Sequence, residues 1–341
     1  MVRVRYSFGS RHTGRITNIK KQRQKYPDVM KKVIDISDIV LEVLDARYID
    51  ETRNVEIETL IDKAGKKLVF VFNKSDLVDK GELEKQIPSW MRPYVFVSAT
   101  RGIGLNDLRG RVKMEAKRIL AERKDIAKDR EIEEKKFEKK KYGVGKTKLR
   151  GEQKMAKEMR DESWGRVHVG VIGVPNAGKS SVINFMTRRA AAKTGAKAGF
   201  TKGMQKVRMS EGILVLDTPG VIPESRYTSE RKGFAEDVKI GARSYSDVKD
   251  PERAVLFLVR AAPAVDPENL TPKEEAAIVY ARKSAKAIDK FYDMKSMGDV
   301  EVLIEELGKK KGFLGKGGVV DEDRTARLIL RDWQSGAIRV K

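Results

Sequence analysis

One stretch of the sequence, residues 173–180 (GVPNAGKS), has the residue types and the spacing of a loop that binds a polyphosphate. Gly173 and Gly178 allow the backbone to curl so that successive N–H groups point at phosphate oxygens. Lys179 is long enough to reach the β and γ oxygens, and Ser180 supplies a hydroxyl for Mg²⁺. A glycine-rich surface turn is the alternative, but a strand-like apolar run precedes the loop and a helix-like run follows it, as phosphate binding requires.

The predicted nucleotide contacts of this loop are consecutive in the sequence. They are Pro175, Asn176, Ala177, Gly178, Lys179, Ser180 and Ser181. A similar string, residues 143–147 (GVGKT), lies in a charged tract without a strand-like run and has Lys140 where the first glycine should stand. We predict that this second string does not bind phosphate, because the setting of strand, loop and helix is missing.

Residues further along the chain complete the predicted site for magnesium and the γ-phosphate. Thr201 ends a segment rich in Ala, Gly and Lys, which is typical of a mobile switch, and offers a second hydroxyl to Mg²⁺. Asp217 starts the sequence DTPG after a strand-like run and can hold Mg²⁺ through water, while the amide of Gly220 can approach the γ-phosphate closely. The predicted catalytic residues are Lys179, Thr201 and Gly220; the predicted Mg²⁺ ligands are Ser180, Thr201 and Asp217.

A second cluster, residues 73–76 (NKSD), follows a continuous apolar run and has the pattern of a guanine-binding loop. Asn73 can bond the acceptor edge of the base, and Lys74 can lie along its plane. Asp76 can accept hydrogen bonds from N1–H and the N2 amine of guanine. Adenine has no such pair of donors, so a carboxylate here rejects ATP. A polar turn after a strand is the alternative interpretation.

The same base has a second predicted support. Another apolar run, residues 94–97, ends in Ser98 and Ala99, which begin a short loop (SAT). We predict that the backbone amides of this loop support the guanine base beside NKSD.

The composition favours a polyanionic partner. The chain of 341 residues has a formal net charge of +22, which raises the local concentration of nucleic acid. A thermophile surface rich in Lys and Glu is the alternative, but such surfaces balance their charges. The absence of cysteine excludes disulfides, and with two histidines a zinc site is not expected. The sequence has no apolar run of membrane-spanning length and no apolar signal-peptide core, so we expect a cytoplasmic protein with no membrane partner. We also expect a monomer.

Changes in charge and in apolar pattern along the sequence divide the chain into five predicted parts. These are a basic N-terminal arm (1–32), the first half of a nucleotide-binding domain (33–110), a charged helical linker (111–165), the second half of that domain (166–234) and a helical RNA-binding domain (235–341). The arm either contacts RNA or is a solvated basic tail. The linker is predicted to be a solvated helix, either a spacer or a second basic surface.

The predicted helical domain contains a basic segment between its last two helices, which are expected at 300–307 and 321–335. In this segment, residues 308–318 (GKKKGFLGKGG), four lysines and five glycines surround Phe313. Cations, a ring and a flexible backbone suit a folded RNA backbone, and a disordered loop is the alternative.

The motifs occur in an unusual order. Together they form the set of a Ras-like GTPase, but there the phosphate loop comes first, whereas here the base loops precede it by about a hundred residues. Because domain termini lie at the surface and often close together, a sheet tolerates being cut and rejoined. We predict an α/β fold, a circularly permuted Ras-like P-loop GTPase domain with a mostly parallel, three-layer sheet, followed by an all-α domain. Two unrelated domains with an accidental NKSD are the alternative, although every motif follows an apolar strand, where open α/β sheets bind ligands.

The chain resembles the circularly permuted GTPases of ribosome assembly, of the YlqF/RbgA type. The resemblance rests on VLDAR (43–47), NKSD, SAT, GVPNAGKS, the Thr201 region and DTPG, and on a C-terminal stretch at 315–340. The basic arm, the charged linker and residues 271–297 look like departures from the family or expansions of it. The resemblance implies GTP hydrolysis coupled to maturation of the large ribosomal subunit, with rRNA bound by basic surfaces that include the C-terminal domain.

Two residues bear on the expected rate of hydrolysis. Val221 follows the DTPG glycine, where ordinary Ras-like enzymes have a glutamine that orients the attacking water. We therefore expect slow intrinsic hydrolysis that is stimulated by the ribosomal particle, by a monovalent cation, or by both. Asn176 resembles the residue that helps to hold K⁺ in potassium-activated GTPases; the alternative is that it only caps the loop.

Two hypotheses concern the use of the nucleotide. The segment after DTPG, residues 221–233, leads directly into the helical domain, so GTP is predicted to order this segment and to fix the orientation of the helical domain on RNA. The second function class is an RNA-binding assembly or tethering protein in which the nucleotide is only structural.

Overall fold

A computed structural model describes residues 30–142, 165–187, 205–217, 237–242, 244–246, 248–260 and 271–340. Several predicted features lie outside these residues: most of the basic arm, the string at 143–147, Thr201, Gly220, Val221 and the segment 221–233.

Six strands form one sheet in the order β3-β2-β1-β4-β6-β5. They are β1 (Ile39–Asp45), β2 (Lys67–Asn73), β3 (Tyr94–Phe96), β4 (Val167–Ile172), β5 (Gln205–Ser210) and β6 (Ile213–Asp217). Neighbouring strands are parallel except in the hairpin of β5 and β6. Strand β1 lies between β2 and β4, with Ile39 opposite both Lys67 and Val169. The two halves of the chain therefore share one sheet, which confirms the mostly parallel α/β prediction.

The helices lie between and after these strands. They are α1 (30–36), α2 (Ile49–Thr52), α3 (Val55–Lys63), α4 (Lys80–Gln86), α5 (Leu105–Tyr142), α6 (Lys179–Thr187), α7 (Pro251–Val259), α8 (Pro272–Tyr292), α9 (Val300–Lys311) and α10 (Glu322–Ser335). Five of them begin with an Asn or Asp side chain that accepts a hydrogen bond from a backbone N–H of the first turn. These caps are Asn54, Asp79, Asp250, Asp299 and Asp321.

Helices cover both faces of the sheet. Successive side chains of a strand point to opposite faces, so Leu41 and Val43 belong to the core formed with α5 and α6. Val40 lies on the other face, in a core with α1 and α3 that includes Ile61. The sheet is thus the middle of three layers, as predicted.

Helix α5 differs from the solvated linker that was predicted from residue 111 onward. It begins at residue 105, and Leu108, Val112 and Ala116 are buried in the core of the sheet. Arg123 forms an ion pair with Asp38 at the start of β1. The first part of α5 is therefore a layer of the nucleotide-binding domain, and its apolar residues escape notice in the sequence because charged residues surround them.

The C-terminal region is helical, as predicted. Helices α7 to α10 enclose a second core, in which Trp333 is almost completely buried. Helix α9 continues to Lys311 instead of ending at residue 307, because Gly308 lies within the helix against Val320. The rest of the basic segment folds back through a bridge between Leu314 and Val320, which contradicts the disordered alternative. No helix in the described ranges is long and apolar enough to cross a bilayer.

Candidate nucleotide-binding site

Four neighbouring parallel strands end at one edge of the sheet, and each end carries a predicted site residue or lies beside one. Strand β1 ends at Asp45, β2 at Asn73 and β6 at Asp217, while β4 leads into Gly173. Ligands of open α/β sheets bind at this edge. The described backbone thus places the NKSD loop, the phosphate loop and the start of DTPG side by side.

The phosphate loop has a shape that only glycine permits at two positions. Gly173 has φ +143°, and a Cβ there would lie 2.4 Å from the carbonyl oxygen of Val43. Gly178 has φ +97°, and a Cβ there would lie 2.2 Å from Nδ2 of Asn73. Since L residues rarely adopt these angles, both glycines are required for the loop to pack against the neighbouring strands. The loop is a cradle of backbone groups, as the prediction of polyphosphate binding demands.

Lys179 is the first residue of α6 and is buried at the base of the loop. Its ammonium donates hydrogen bonds to the carbonyl oxygens of Gly173 (3.0 Å) and Val174 (2.8 Å). Ser180 and Ser181 follow in the first helical turn and are partly exposed. The positive end of the helix dipole and the free N–H groups of this turn favour an anion here. The serine hydroxyl and the carboxylate residue that ends β6 are oxygen donors of the type that suits Mg²⁺.

Asn73 connects the base loop to both of its neighbours. Its Nδ2 donates a hydrogen bond to the carbonyl oxygen of Ala177 in the phosphate loop at 2.9 Å. Its Oδ1 accepts a hydrogen bond from the amide of Ala99 in the SAT loop at 3.3 Å. The predicted contacts of Asn73 and of the Ala99 amide with the base stay predictions, and the folded chain shows that these two groups also bond to each other and that Asn73 bonds to the phosphate loop. The three loops are therefore joined by a single side chain.

The carboxylate predicted to select guanine is accessible. Asp76 lies two residues after Lys74, whose backbone is left-handed (φ 61°), and the side chain of Asp76 is 16% exposed. Its closest cationic partner is the exposed guanidinium of Arg101, with Nε 3.8 Å from Oδ2. Ser98 shapes this part of the loop, because its Oγ accepts a hydrogen bond from the amide of Arg101 at 3.2 Å.

Residues 168–291, which include the phosphate loop, match the family model described as 50S ribosome-binding GTPase. This part of the chain is similar to GTPases of that family. With the base loops placed before the phosphate loop in one sheet, the predicted resemblance to circularly permuted GTPases is confirmed.

Two relatives that are longer than this chain match most of its length. An uncharacterised GTP-binding protein of Methanocaldococcus jannaschii is 33% identical over 310 residues, which is 91% of this chain and 65% of that protein. The guanine nucleotide-binding protein-like 3-like protein of Mus musculus is 30% identical over 319 residues, 93% of this chain and 48% of that protein. The chain thus spans less than two thirds of the length of these relatives. GNP-bound YlqF from T. maritima is 18% identical with a TM-score of 0.48, covering 94% of this chain and 97% of that chain.

The α/β domain contains a buried ion cluster that was not predicted as part of the site. Asp45 accepts hydrogen bonds from Lys74 Nζ (2.7 Å) and from Arg47 Nε (2.9 Å) and Nη2 (2.7 Å). Burial opposes ionisation of Asp45, but the Lys74 and Arg47 cations outweigh it and hold its pKa well below the usual range. The available signal was an Asp and an Arg directly after a buried strand, in the VLDAR sequence.

Asn176 of the phosphate loop faces the C-terminal region. It adopts a left-handed backbone (φ 59°), and its Nδ2 donates a hydrogen bond to the carbonyl oxygen of Gly241 at 2.6 Å. Its Oδ1 accepts no hydrogen bond from the described residues.

The helical region contacts the GTPase domain close to this cleft. The hydroxyls of Tyr48 and Tyr280 are 2.7 Å apart, and the ammonium of Lys239 lies over both rings. The indole N–H of Trp333 donates a hydrogen bond to the carbonyl oxygen of Lys239 at 3.2 Å. Helices α8 and α10 are thus joined to the segment that follows β1.

Proposed function

We propose that the protein binds GTP and GDP with Mg²⁺ in this cleft and hydrolyses GTP slowly. The observation that carries the proposal is the Asn73 bridge, which joins a guanine-type loop to a phosphate loop about a hundred residues away in the sequence. A purine bound between Lys74 and the SAT loop would lie beside Asp76, the carboxylate proposed to select guanine. Asp76 and the phosphate loop are at the same edge of the sheet.

The proposed roles of the residues rest on the sequence motifs, and for Lys179 and Ser180 they are also supported by the place of these residues in the first turn of α6. Lys179 and the backbone N–H groups of residues 176–181 hold the phosphates, and Ser180, Thr201 and Asp217 hold Mg²⁺. When bound, the metal neutralises charge on the phosphate oxygens. The amide of Gly220 is assigned to the γ-phosphate. Val221 cannot orient water, which supports slow hydrolysis with help from a ribosomal particle.

The base preference is tested by exchanging the carboxylate for an amide. Asp76→Asn presents one donor and one acceptor, which matches the N1–H and C2 carbonyl of xanthine and mismatches guanine. We expect GDP affinity to fall at least about 100-fold and XDP affinity to rise. Asp79→Asn is the matched control, because Asp79 caps α4 and Asn caps equally well. Unchanged GDP affinity in Asp76→Asn would refute the assignment of NKSD.

A second candidate is an RNA-binding assembly or tethering protein whose nucleotide is structural, and Val221 is the observation that favours it. Multiple-turnover GTPase assays with Lys179→Ala and Ser180→Ala separate the two candidates. The first candidate predicts measurable turnover that both variants lose. Tight GTP binding without any turnover, with or without ribosomal particles, supports the second.

A potassium requirement is a finer part of the proposal. Asn176 has an amide oxygen without a hydrogen bond from the described residues, and its amide nitrogen is held by Gly241. We expect faster GTP hydrolysis in KCl than in NaCl at equal ionic strength, and the difference should disappear in Asn176→Ala. Equal rates in both salts would remove the cation from the mechanism.

We also propose that the protein binds rRNA of a large ribosomal subunit precursor. In the basic segment, Lys311 and Lys316 form no ion pair with described residues, and the guanidinium of Arg324 lies 4.2 Å from the centre of the Phe313 ring. Exposed cations beside a ring suit an RNA backbone with an unstacked base. The description of the matching family names a 50S ribosome. The cytoplasmic location and the monomeric state stay predictions.

The RNA surface is tested by charge reversal. Lys311→Glu with Lys316→Glu should weaken binding to rRNA fragments and reduce the slope of log affinity against log salt by about two. Lys63→Glu with Lys85→Glu changes the net charge equally on exposed positions of α3 and α4 and is the control. Equal losses in both double variants would show that only the total charge of the protein matters.

A further inference from the structure

A chain of polar contacts runs from the base loop to the last turn of α10. Lys74 Nζ donates to Asp45, and Asp45 holds the guanidinium of Arg47 through both of its oxygens. The remaining guanidinium nitrogen, Nη1, donates to the carbonyl oxygen of Trp333 at 3.3 Å. The side chains of Asp45 and Arg47 are 0% and 12% exposed, so solvent does not screen this connection.

A packing contact joins the same two elements at a second point. Gly336 ends α10 in the left-handed conformation (φ +80°), and a Cβ there would lie 2.3 Å from Cδ1 of Leu77. Leu77 directly follows Asp76 of the NKSD loop. The end of α10 therefore packs on the loop that carries the proposed guanine selector.

The same helix end also reaches the phosphate loop. Gln334 accepts a hydrogen bond from the amide of Tyr245 at 3.1 Å. It also packs beside Gly241, because a Cβ on Gly241 would lie 3.4 Å from Cγ of Gln334. The carbonyl oxygen of Gly241 in turn holds the side chain of Asn176. Residues 333–336 thus touch, directly or through one residue, both loops that would enclose a nucleotide.

We propose that Asp45 and Arg47 are positioning residues for guanine nucleotide binding, and that they couple the nucleotide cleft to the docked end of α10. This inference rests on the proposed binding of GTP and GDP. Asp45 holds the ammonium of Lys74, so the aliphatic stem of Lys74 is fixed in the orientation needed to lie along a purine. Arg47 ties Asp45 to the backbone of α10, so the stem keeps this orientation only while α10 is docked.

Coupling of this kind is reciprocal. If docking of α10 favours the base loop in its binding geometry, nucleotide binding must stabilise the docked helix by the same factor. Helix α10 directly follows the basic segment proposed to bind RNA. A nucleotide could thereby influence an RNA surface without touching it.

The packing contact provides a matched pair of variants. Gly336→Ala and Gly312→Ala both place Ala in a left-handed position at the end of a helix, so both carry the same backbone strain. A Cβ at position 312 meets nothing within 4 Å, whereas a Cβ at position 336 meets Leu77. We expect GDP to bind at least about 5-fold more weakly to Gly336→Ala and unchanged to Gly312→Ala, measured by calorimetry.

The polar chain is tested with a spectroscopic signal. The protein has three tryptophans, and replacing Trp90 and Trp164 by Phe leaves Trp333 as the sole reporter. We expect GDP to change the emission of Trp333, and Arg47→Met to abolish this change and weaken GDP binding at least about 5-fold. Arg53→Met is the control, since Arg53 lies in the same segment but pairs with Glu58. Arg47→Lys should restore part of the affinity by keeping a cation beside Asp45.

The outcomes separate this inference from the proposed function. If the unsubstituted protein does not bind GDP, the proposed function fails and the inference fails with it. If the unsubstituted protein binds GDP, the GDP affinities of the variants decide. When those of Gly336→Ala, Arg47→Met and both controls agree within twofold, only the inference is overturned. If Gly336→Ala or Arg47→Met does not fold, the response of Trp333 to GDP decides, and an unchanged emission at saturating GDP overturns the inference.

Discussion

The amide of Asn73 uses both of its polar ends within the protein. One end holds the phosphate loop through Ala177 and the other holds the SAT loop through Ala99. The three loops are therefore oriented relative to each other by protein contacts alone. A site arranged in advance loses less conformational entropy on binding, so these contacts of Asn73 within the protein contribute to affinity.

The close approach of Gly178 to Asn73 predicts that a side chain at position 178 weakens nucleotide binding. Gly178→Ala should cost about 1–2 kcal/mol of stability from the left-handed backbone and should also displace the Asn73 amide. We expect GDP affinity to fall about tenfold or more. Gly65→Ala has the same type of backbone strain with nothing within 4 Å of its Cβ, so it should lose stability but keep its affinity. Equal GDP affinities of the two variants would contradict the role of the Asn73 bridge.

Glu42 is a buried acid in the middle of β1, away from the proposed chemistry. Its Oε1 accepts a hydrogen bond from the amide of Asn54 at 2.9 Å, and its side chain is fully buried. Burial, and next the carboxylate charge of Glu58, raise the pKa of Glu42 well above the ordinary value of 4.5. The folded protein therefore holds a proton on Glu42 at a pH where the unfolded chain has released it.

This raised pKa predicts a pH dependence of stability. The unfolded chain binds fewer protons than the folded protein between the ordinary and the raised pKa, so the free energy of unfolding falls as the pH rises through that window. Glu42→Gln keeps an acceptor for Asn54 and removes the titration, so its urea unfolding profile should be flatter above pH 4.5. Glu84→Gln, exposed on α4, should keep the slope of the unsubstituted protein. The same slope in Glu42→Gln would show that another group is responsible.

Among the elements, α5 has two different parts. Its first turns are buried against the sheet. Further along the helix, the side chain of Arg123 still contacts the starts of two strands. The Arg123 guanidinium forms an ion pair with Asp38. The other carboxylate oxygen of Asp38 accepts a hydrogen bond from the amide of His168 at 2.9 Å. Arg123 Nη1 also donates to the carbonyl oxygen of Arg166 at 3.0 Å. One side chain thus ties α5 to the starts of β1 and β4.

We expect Arg123→Met to lower the free energy of unfolding by about 1–3 kcal/mol, because the partly buried Asp38 loses a charged hydrogen-bond partner. Lys128→Met on the same helix removes an ion pair whose side chains are 73% and 75% exposed, and it should change stability by less than about 0.5 kcal/mol. Denaturant unfolding compares the two variants. Equal effects would mean that α5 is already solvated at Arg123, as the sequence alone suggested.

The elements also show where prediction from sequence succeeds. Strand β2 follows from the continuous apolar run that precedes NKSD in the sequence. The end of α9 was missed because Gly308 signals a helix end locally, while its packing against Val320 comes from distant sequence. Likewise, motif spacing placed Asn73 and Ala177 in one cleft, but only the folded chain reveals that they bond each other. The contact of Arg47 with Trp333 joins residues with no shared pattern.

At the scale of the molecule, the interleaved sheet makes the two halves of the GTPase domain dependent on each other. Strand β1 would lose one of its two neighbours without β4, and the buried residues of α5 pack on strands from both halves. The core between the sheet and helices α5 and α6 takes its buried residues from both halves. The connection between the halves therefore contributes mainly by keeping them at a high effective concentration.

A cut in that connection tests this dependence. We would insert a specific protease site between residues 142 and 165 and cleave the purified protein. The fragments should remain associated on gel filtration and bind GDP within about threefold of the uncut insertion variant, because the β1–β4 pairing and the α5 packing survive the cut. The midpoint of denaturant unfolding should now rise with protein concentration, since folding has become bimolecular, while the uncut variant shows no such dependence. Fragments that separate in buffer and unfold in two independent transitions would mean that each half has its own core, and the single-sheet explanation of the permuted order would fall.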